Sequence, residues 1–101
     1  MKIFDLTGKV ALITGSSQGI GFALAEGLAE AGAKIILNGR DEKKLITAKK
    51  KLQQKYEDIS YLSFDVTDYS SVERKIAQYF DQNSGIDILV NNAGMQHRAP
   101  L

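Results

Sequence analysis

The sequence predicts an α/β fold, a doubly wound parallel sheet built from alternating strands and helices, with strand order 3-2-1-4. Three observations carry that expectation. Short runs rich in β-branched and apolar residues recur at Lys9 to Thr14, Lys34 to Asn38, Ile59 to Phe64 and Ile86 to Val90. Stretches with helical periodicity lie between them. The first run leads straight into Thr14-Gly15-Ser16-Ser17-Gln18-Gly19-Ile20-Gly21, which reads as a tight turn opening a helix.

A chain of 101 residues suffices for one small domain, residues 1–101. With 44% hydrophobic and 25% charged residues it reads as globular rather than disordered. A net charge of +1 provides no basic bulk for nucleic acid or an anionic membrane. The absence of cysteine excludes disulfides and thiolate metal sites and suits a cytoplasmic chain. Met1 to Leu6 carries an acid and lacks a long apolar core, so no signal peptide is read there. No run reaches the ~18 apolar residues of a membrane span.

Residues 1–8 are read as a lead-in, punctuated by Gly8. The first strand is nearly all apolar, as for a strand covered on both faces. Helix one runs from Gly19 to Ala31, with Ile20, Leu24, Leu28 and Ala31 on its inner face. Gly27 falls on the same side, for close approach to the sheet, and Gly32 is the C-terminal stop. After the second strand, Gly39-Arg40 turns the chain and Asp41 caps helix two, Glu42 to Tyr56. Leu45, Ala48, Leu52 and Tyr56 form its buried stripe, and the lysines at 43, 44, 49, 50, 51 and 55 read as a solvated face. The third strand ends in Asp65-Val66-Thr67-Asp68. Helix three spans Ser71 to Gln82, with Ser70-x-x-Glu73 as a capping box and Val72, Ile76 and Phe80 inward. Asn83-Ser84-Gly85 breaks it, strand four ends in Asn91-Asn92-Ala93-Gly94, and Met95 to Leu101 reads as a loop.

This is the N-terminal half of a Rossmann-type fold, whose crevice lies at the carboxyl ends of strands one and four, where the order reverses. Both glycine-containing motifs meet there. Helix-start amides lack partners within the helix, and the dipole adds partial positive charge. The turn from Gly15 through Ser17, Gln18, Gly19 and Ile20 to Gly21 is therefore the candidate seat of a dinucleotide's diphosphate. Its Gly-x-x-x-Gly-x-Gly spacing departs from Gly-x-Gly-x-x-Gly, and no Gly-Lys-Ser/Thr of a P-loop follows. An acid at the end of strand two binds a ribose 2′-hydroxyl in such sites. Here Asn38 lacks that charge and Arg40 offers a fork for a 2′-phosphate, which favours NADP over NAD. Asp41 keeps NAD as the alternative, and Arg40 also reads as a plain exposed turn residue.

Two readings stand for Asp65: an acceptor for an adenine amino group, or a strand-end Asx turn. Asn92 is placed to bond across the rim to the first turn, and Ala93 and Gly94 leave room for a ribose. His97 has no partner cluster at metal-ligand spacing and reads as a loop histidine. Arg98 beside it is a candidate for meeting an anionic substrate.

These motifs together resemble the short-chain dehydrogenase/reductase family. Residues 14–21 are similar to its Thr-Gly-x-x-x-Gly-x-Gly signature, Asp65-Val66 to its adenine-pocket aspartate and neighbour, and residues 91–94 to its Asn-Asn-Ala-Gly motif. The resemblance places Ser17 and Ile20 near the phosphates, Asp65 and Val66 at the adenine, and Asn92, Ala93 and Gly94 on the adenosine-ribose side. Within the family, residues 94–98 and 38–41 look most like the gluconate 5-dehydrogenases. That implies hydride transfer between a secondary alcohol or ketone, such as a sugar acid, and the nicotinamide. Full-length members are expected to form homotetramers.

The family's catalytic serine and Tyr-x-x-x-Lys are not found. Tyr56, Tyr61, Tyr69 and Tyr79 are followed four residues on by Ser60, Asp65, Glu73 and Asn83. No catalytic residue is assigned, and the chain is expected to be a cofactor-binding portion truncated relative to the family. Strand four is expected to be a bare apolar edge. The alternative is a non-catalytic dinucleotide-binding or interaction module; a third reading is complementation by a separate C-terminal half.

Overall fold

The computed structural model describes residues 5–82 and 85–93. The elements are β1 (Val10–Ile13), α1 (Gly19–Glu30), β2 (Lys34–Gly39), α2 (Glu42–Gln53), β3 (Ile59–Ser63), α3 (Tyr69–Gln82) and β4 (Ile88–Val90). Neighbouring strands pair parallel in the predicted order β3-β2-β1-β4. Register sets Leu12 between Ile36 and Leu89.

Because side chains alternate along a strand, β1 feeds two cores. Ala11 and Ile13 join Ala25, Ala29, Leu45 and Ala48 of α1 and α2 on one face. Val10 and Leu12 join Ile36 and Phe64 on the other, where α3 brings Val72, Ile76 and Tyr79. Covering both faces makes the central strands continuous apolar runs rather than alternating ones. Leu89, on the edge strand β4, is 66% exposed, the bare edge the sequence predicted.

Helix one buries a different face from the one predicted. Gly21, Ala25 and Ala29 point inward and Leu28 packs against the core as predicted, while Ile20 is 67% exposed and Leu24 lies on the surface. Small residues at spacing four let α1 sit close to the sheet, and close approach decides the phase over side-chain size. Gly21, not Gly27, is the glycine in close contact, against the Gly15 carbonyl of the turn and Asn92, whereas a Cβ on Gly27 would meet nothing within 4 Å. Gly27→Ala is therefore expected to stabilise the chain by about 0.5–1 kcal/mol, through helix propensity alone. Urea unfolding should show a raised midpoint with unchanged slope.

Helix two keeps its stripe of Leu45, Ala48 and Leu52 but ends at Gln53, short of Tyr56. Tyr56 still packs against that core from beyond the helix end, and its hydroxyl donates to Glu30 Oε2 at 2.8 Å, a carboxylate that raises the phenol's pKa. Asp41 caps as predicted, Oδ1 accepting from the amides of Lys43 and Lys44 at 3.0 and 3.3 Å.

Helix three starts earlier than predicted, at Tyr69. The Ser71 amide donates to Asp68 Oδ1 at 3.2 Å, so Asp68 displaces the Ser70 capping box. Tyr79 replaces Phe80 in the core, and Phe80 is 49% exposed. At 3.6 residues per turn, steps of four drift by about 40° each, and a step of three restores the face. Asn83 and Ser84 of the predicted break lie outside the described residues.

Candidate functional site

The turn after β1 is pinned before α1 begins. Ser16 Oγ donates back to the Ile13 carbonyl at 2.7 Å and accepts from the Asn38 amide at 2.9 Å. The Ser16 amide donates to the Asn38 carbonyl at 2.8 Å. Asn38, 1% exposed, completes the lock with its side chain. Its Oδ1 accepts from the Gly15 amide at 3.2 Å, and its Nδ2 donates to the carbonyls of Leu62 and Phe64 at 3.1 and 3.2 Å. One buried carboxamide thus ties together the carboxyl ends of β1, β2 and β3.

A second clamp comes from the end of β4. Asn92 Nδ2 donates to the Gly15 carbonyl at 3.0 Å, the bond across the rim that the sequence predicted. Thr14 Oγ1 accepts from the Ala93 amide at 3.1 Å and stands 3.2 Å from Asn91 Oδ1. Ala93 packs so closely that a Cβ on Gly15 would lie 3.3 Å from its own Cβ. Its small side chain serves the turn as much as any ligand.

Beyond the clamps the loop opens. Gln18 is the N-cap of α1, and its side chain makes no capping bond. Gln18, Gly19 and Ile20 are exposed. Gly15 and Gly19 take φ values of +60° and +65°, a region side chains resist. A Cβ on Gly19 would meet nothing within 4 Å, so the space before the helix start is clear. First-turn amides facing clear space at the positive end of a helix dipole suit a phosphate.

Beside this start lies a groove of about 170 Å³ lined by Gly15, Asn38, Gly39, Arg40, Phe64, Asp65, Val66 and Ala93. It unites predicted positions from separate loops. Asp65 Oδ1 accepts from the Thr67 amide at 2.9 Å and from Thr67 Oγ1 at 2.7 Å, so its Asx-turn reading is observed, on the wall of the groove. Arg40 Nη1 stands 3.8 Å from Asp65 Oδ2. Gly94, His97 and Arg98 fall outside the described residues.

Sequence reading missed Ser16, the pivot of the first clamp. Its one signal is a small hydroxyl inside a glycine turn, where such groups bond to nearby backbone. That signal does not reveal a partner as remote as Asn38.

Fold and loop define a Rossmann-type α/β unit with an open glycine turn at its topological switch point. The chain belongs to the short chain dehydrogenase family, whose model matches residues 9–101. It is similar to gluconate 5-dehydrogenase of Gluconobacter oxydans (strain 621H), 46% identical over 99 residues, covering 98% of this chain and 39% of that protein. It is 42% identical over 99 residues to 5-keto-D-gluconate 5-reductase of Escherichia coli K12, with the same 98% and 39% coverage.

Solved structures agree. A gluconate 5-dehydrogenase from Burkholderia cenocepacia J2315 in complex with NADP and tartrate superposes with TM-score 0.83 at 46% identity, over 96% of this chain and 38% of that one. L-sorbose reductase from Gluconobacter frateurii, complexed with NADPH and L-sorbose, gives TM-score 0.83 at 38% identity, over 98% and 40%. The chain thus spans about two fifths of the length of these relatives. Among the described residues no helix is long and apolar enough to cross a membrane.

Proposed function

We propose that this chain is the cofactor-holding portion of an NADP-dependent oxidoreductase that interconverts a secondary alcohol and a ketone, on a sugar acid such as gluconate. The observation that carries the reading is the double clamp. Asn38 and Asn92 fix the Gly15 turn from opposite sides and leave the start of α1 open beside the Arg40–Asp65 groove.

In this reading the backbone from Gly15 through Ser17, Gln18, Gly19 and Ile20 to Gly21 receives the diphosphate. Asp65 and Val66 border the adenine, and Asn92, Ala93 and Gly94 border the adenosine ribose. Arg40 meets the 2′-phosphate. Asn38 acts through neutrality, since its polar atoms are committed to backbone. A bound nicotinamide supplies the hydride acceptor or donor. The proton needs a group that these residues lack, because no tyrosine here is followed by lysine four residues on. Sugar-acid chemistry is supported by the likeness to gluconate 5-dehydrogenase and 5-keto-D-gluconate 5-reductase.

Calorimetry on the folded chain tests the reading. NADP+ should bind more tightly than NAD+, and Arg40→Ala should weaken NADP+ roughly tenfold with little effect on NAD+. Absence of NADP+ binding by chain with a native circular dichroism spectrum, or tighter NAD+ binding, overturns it.

A further inference from the structure

We propose that this chain pairs with a second copy of itself through β4, the two strands running antiparallel about a two-fold axis at Leu89. The inference stands apart from the cofactor reading above.

The two edges of the sheet are built differently. A bare edge offers backbone groups to any strand that meets it, and charged side chains are the usual guard. Edge β3 has that guard. Glu57 and Asp58 precede it, Lys49 Nζ stands 5.7 Å from the centroid of the Tyr61 ring, and the Tyr61 hydroxyl donates to Glu42 Oε2 at 3.1 Å. Edge β4 has no such guard: Ile88, Leu89 and Val90 run on into Asn91 and Asn92. The neighbouring acid, Asp87, is turned toward β1, where its Oδ2 accepts from the Val10 amide at 2.9 Å.

Leu89 is the outward residue of that edge. The Val90 carbonyl accepts from the Thr14 amide at 3.0 Å, so Val90 turns its backbone to β1. Successive strand residues turn their N–H and C=O to opposite sides, which sends those of Leu89 outward. Leu89 pairs in register with Leu12, a member of the core under α3, so its side chain lies on that face. There a groove of about 410 Å³ has Leu12, Phe64, Val72, Ile76, Phe80 and Leu89 in its lining and, among the described residues, no charged side chain. Tyr69, Phe80 and Leu89 of this lining are 78%, 49% and 66% exposed.

A charge-free surface gives nucleic acid, an anionic membrane or a charged peptide nothing to hold. A second copy suits it. Leu89 is the middle residue of a three-residue strand, so β4 is its own complement about a two-fold axis. Leu89 then faces its counterpart, the pair exchanging two N–H···O bonds, and Ile88 faces Val90 of the other copy on the opposite side of the sheet. The two grooves join into one furrow between the α3 helices. A net charge of +1 opposes this little. The three exposed side chains offer roughly 400 Å² per copy. Two copies together reach about 800 Å², the low end for a specific interface, so the pairing is concentration-dependent rather than permanent. The carboxyl ends of the paired strands point in opposite directions, which keeps both glycine turns away from the axis.

Sedimentation equilibrium of the whole chain from about 1 to about 200 µM should show a closed monomer–dimer equilibrium. Leu89→Glu sets two carboxylates opposite each other across the axis and should raise the dimer dissociation constant at least about tenfold. Because Leu89 is exposed, the variant should keep a native circular dichroism spectrum. Leu89→Cys places two thiols on a directly opposed pair, whose Cα separation of about 5.5 Å suits a disulfide. The chain has no cysteine of its own, so oxidised glutathione should convert that variant to a covalent dimer. Ile46→Cys, at an exposed position of α2, is the control and should remain monomeric under the same oxidant. A monomer at every concentration, a dimer unmoved by Leu89→Glu, or cross-linking of the Ile46→Cys control equal to that of Leu89→Cys overturns the proposal. Mass that grows without limit also does, since a two-fold pair is closed. Each of these outcomes leaves the cofactor reading intact.

Discussion

Gly21→Ala should destabilise the chain by about 2–3 kcal/mol and abolish NADP+ binding. A Cβ at this position overlaps the Gly15 carbonyl oxygen and comes within 2.6 Å of Asn92 Nδ2. Neither neighbour is a flexible side-chain end with somewhere to go. The oxygen belongs to a turn held by Asn38, and the amide nitrogen is donating to that same oxygen at 3.0 Å. To admit one methyl group, α1 must lift from the sheet or the Asn92 clamp must open, and either disturbs the loop. Urea unfolding gives the stability and calorimetry the binding. Gly27→Ala, in the same helix and with the same chemical change, should move stability in the opposite direction. A Gly21→Ala midpoint equal to the parent's would mean that α1 and the turn are more compliant than these contacts allow.

Asn38→Leu should cost about 3–5 kcal/mol, enough to unfold a marginal domain. The substitution nearly conserves volume. It strands the Gly15 amide and the carbonyls of Leu62 and Phe64, each now bonded to the Asn38 carboxamide. Asn38→Asp separates donor loss from packing. It keeps an acceptor for Gly15 but turns an oxygen toward two carbonyls, so the ionised form is disfavoured and the folded-state pKa should be raised. A raised carboxyl pKa means that native structure favours the protonated form. The variant's stability should therefore be highest below its unfolded pKa of about 4 and fall as pH rises toward the folded value. Unfolding midpoints between pH 4 and pH 8 read this directly. A variant whose midpoint tracks the parent's across that range would show that Nδ2 contributes nothing to the lock.

How far each feature was legible follows from its physics. The strands and their order were legible because buried parallel strands need unbroken apolar runs, and crossover connections have one hand. The Asp41 cap was legible because its partners lie within the next few residues. The Asn92 bond was inferred because two strand ends must share one crevice. The inward face of α1 was misread in its first half, while Leu28 packs against the core as read. Periodicity ranks Ile20 and Leu24 above Gly21 and Ala25, whereas a helix that must nearly touch the sheet prefers the small residues. Phe80 was misread because a step of four was extended one turn too far.

Sequence alone determined the alternation of strand and helix, the switch-point turn and the membership of a dinucleotide-binding lineage. These rest on local periodicity, glycine spacing and connection handedness. Tertiary structure alone decided that the polar atoms of Asn38 are spent as a lock on three strand ends and that Ser16 is its counterpart. Each depends on groups separated along the chain meeting at hydrogen-bonding or coulombic distance, and no local pattern encodes such a distance.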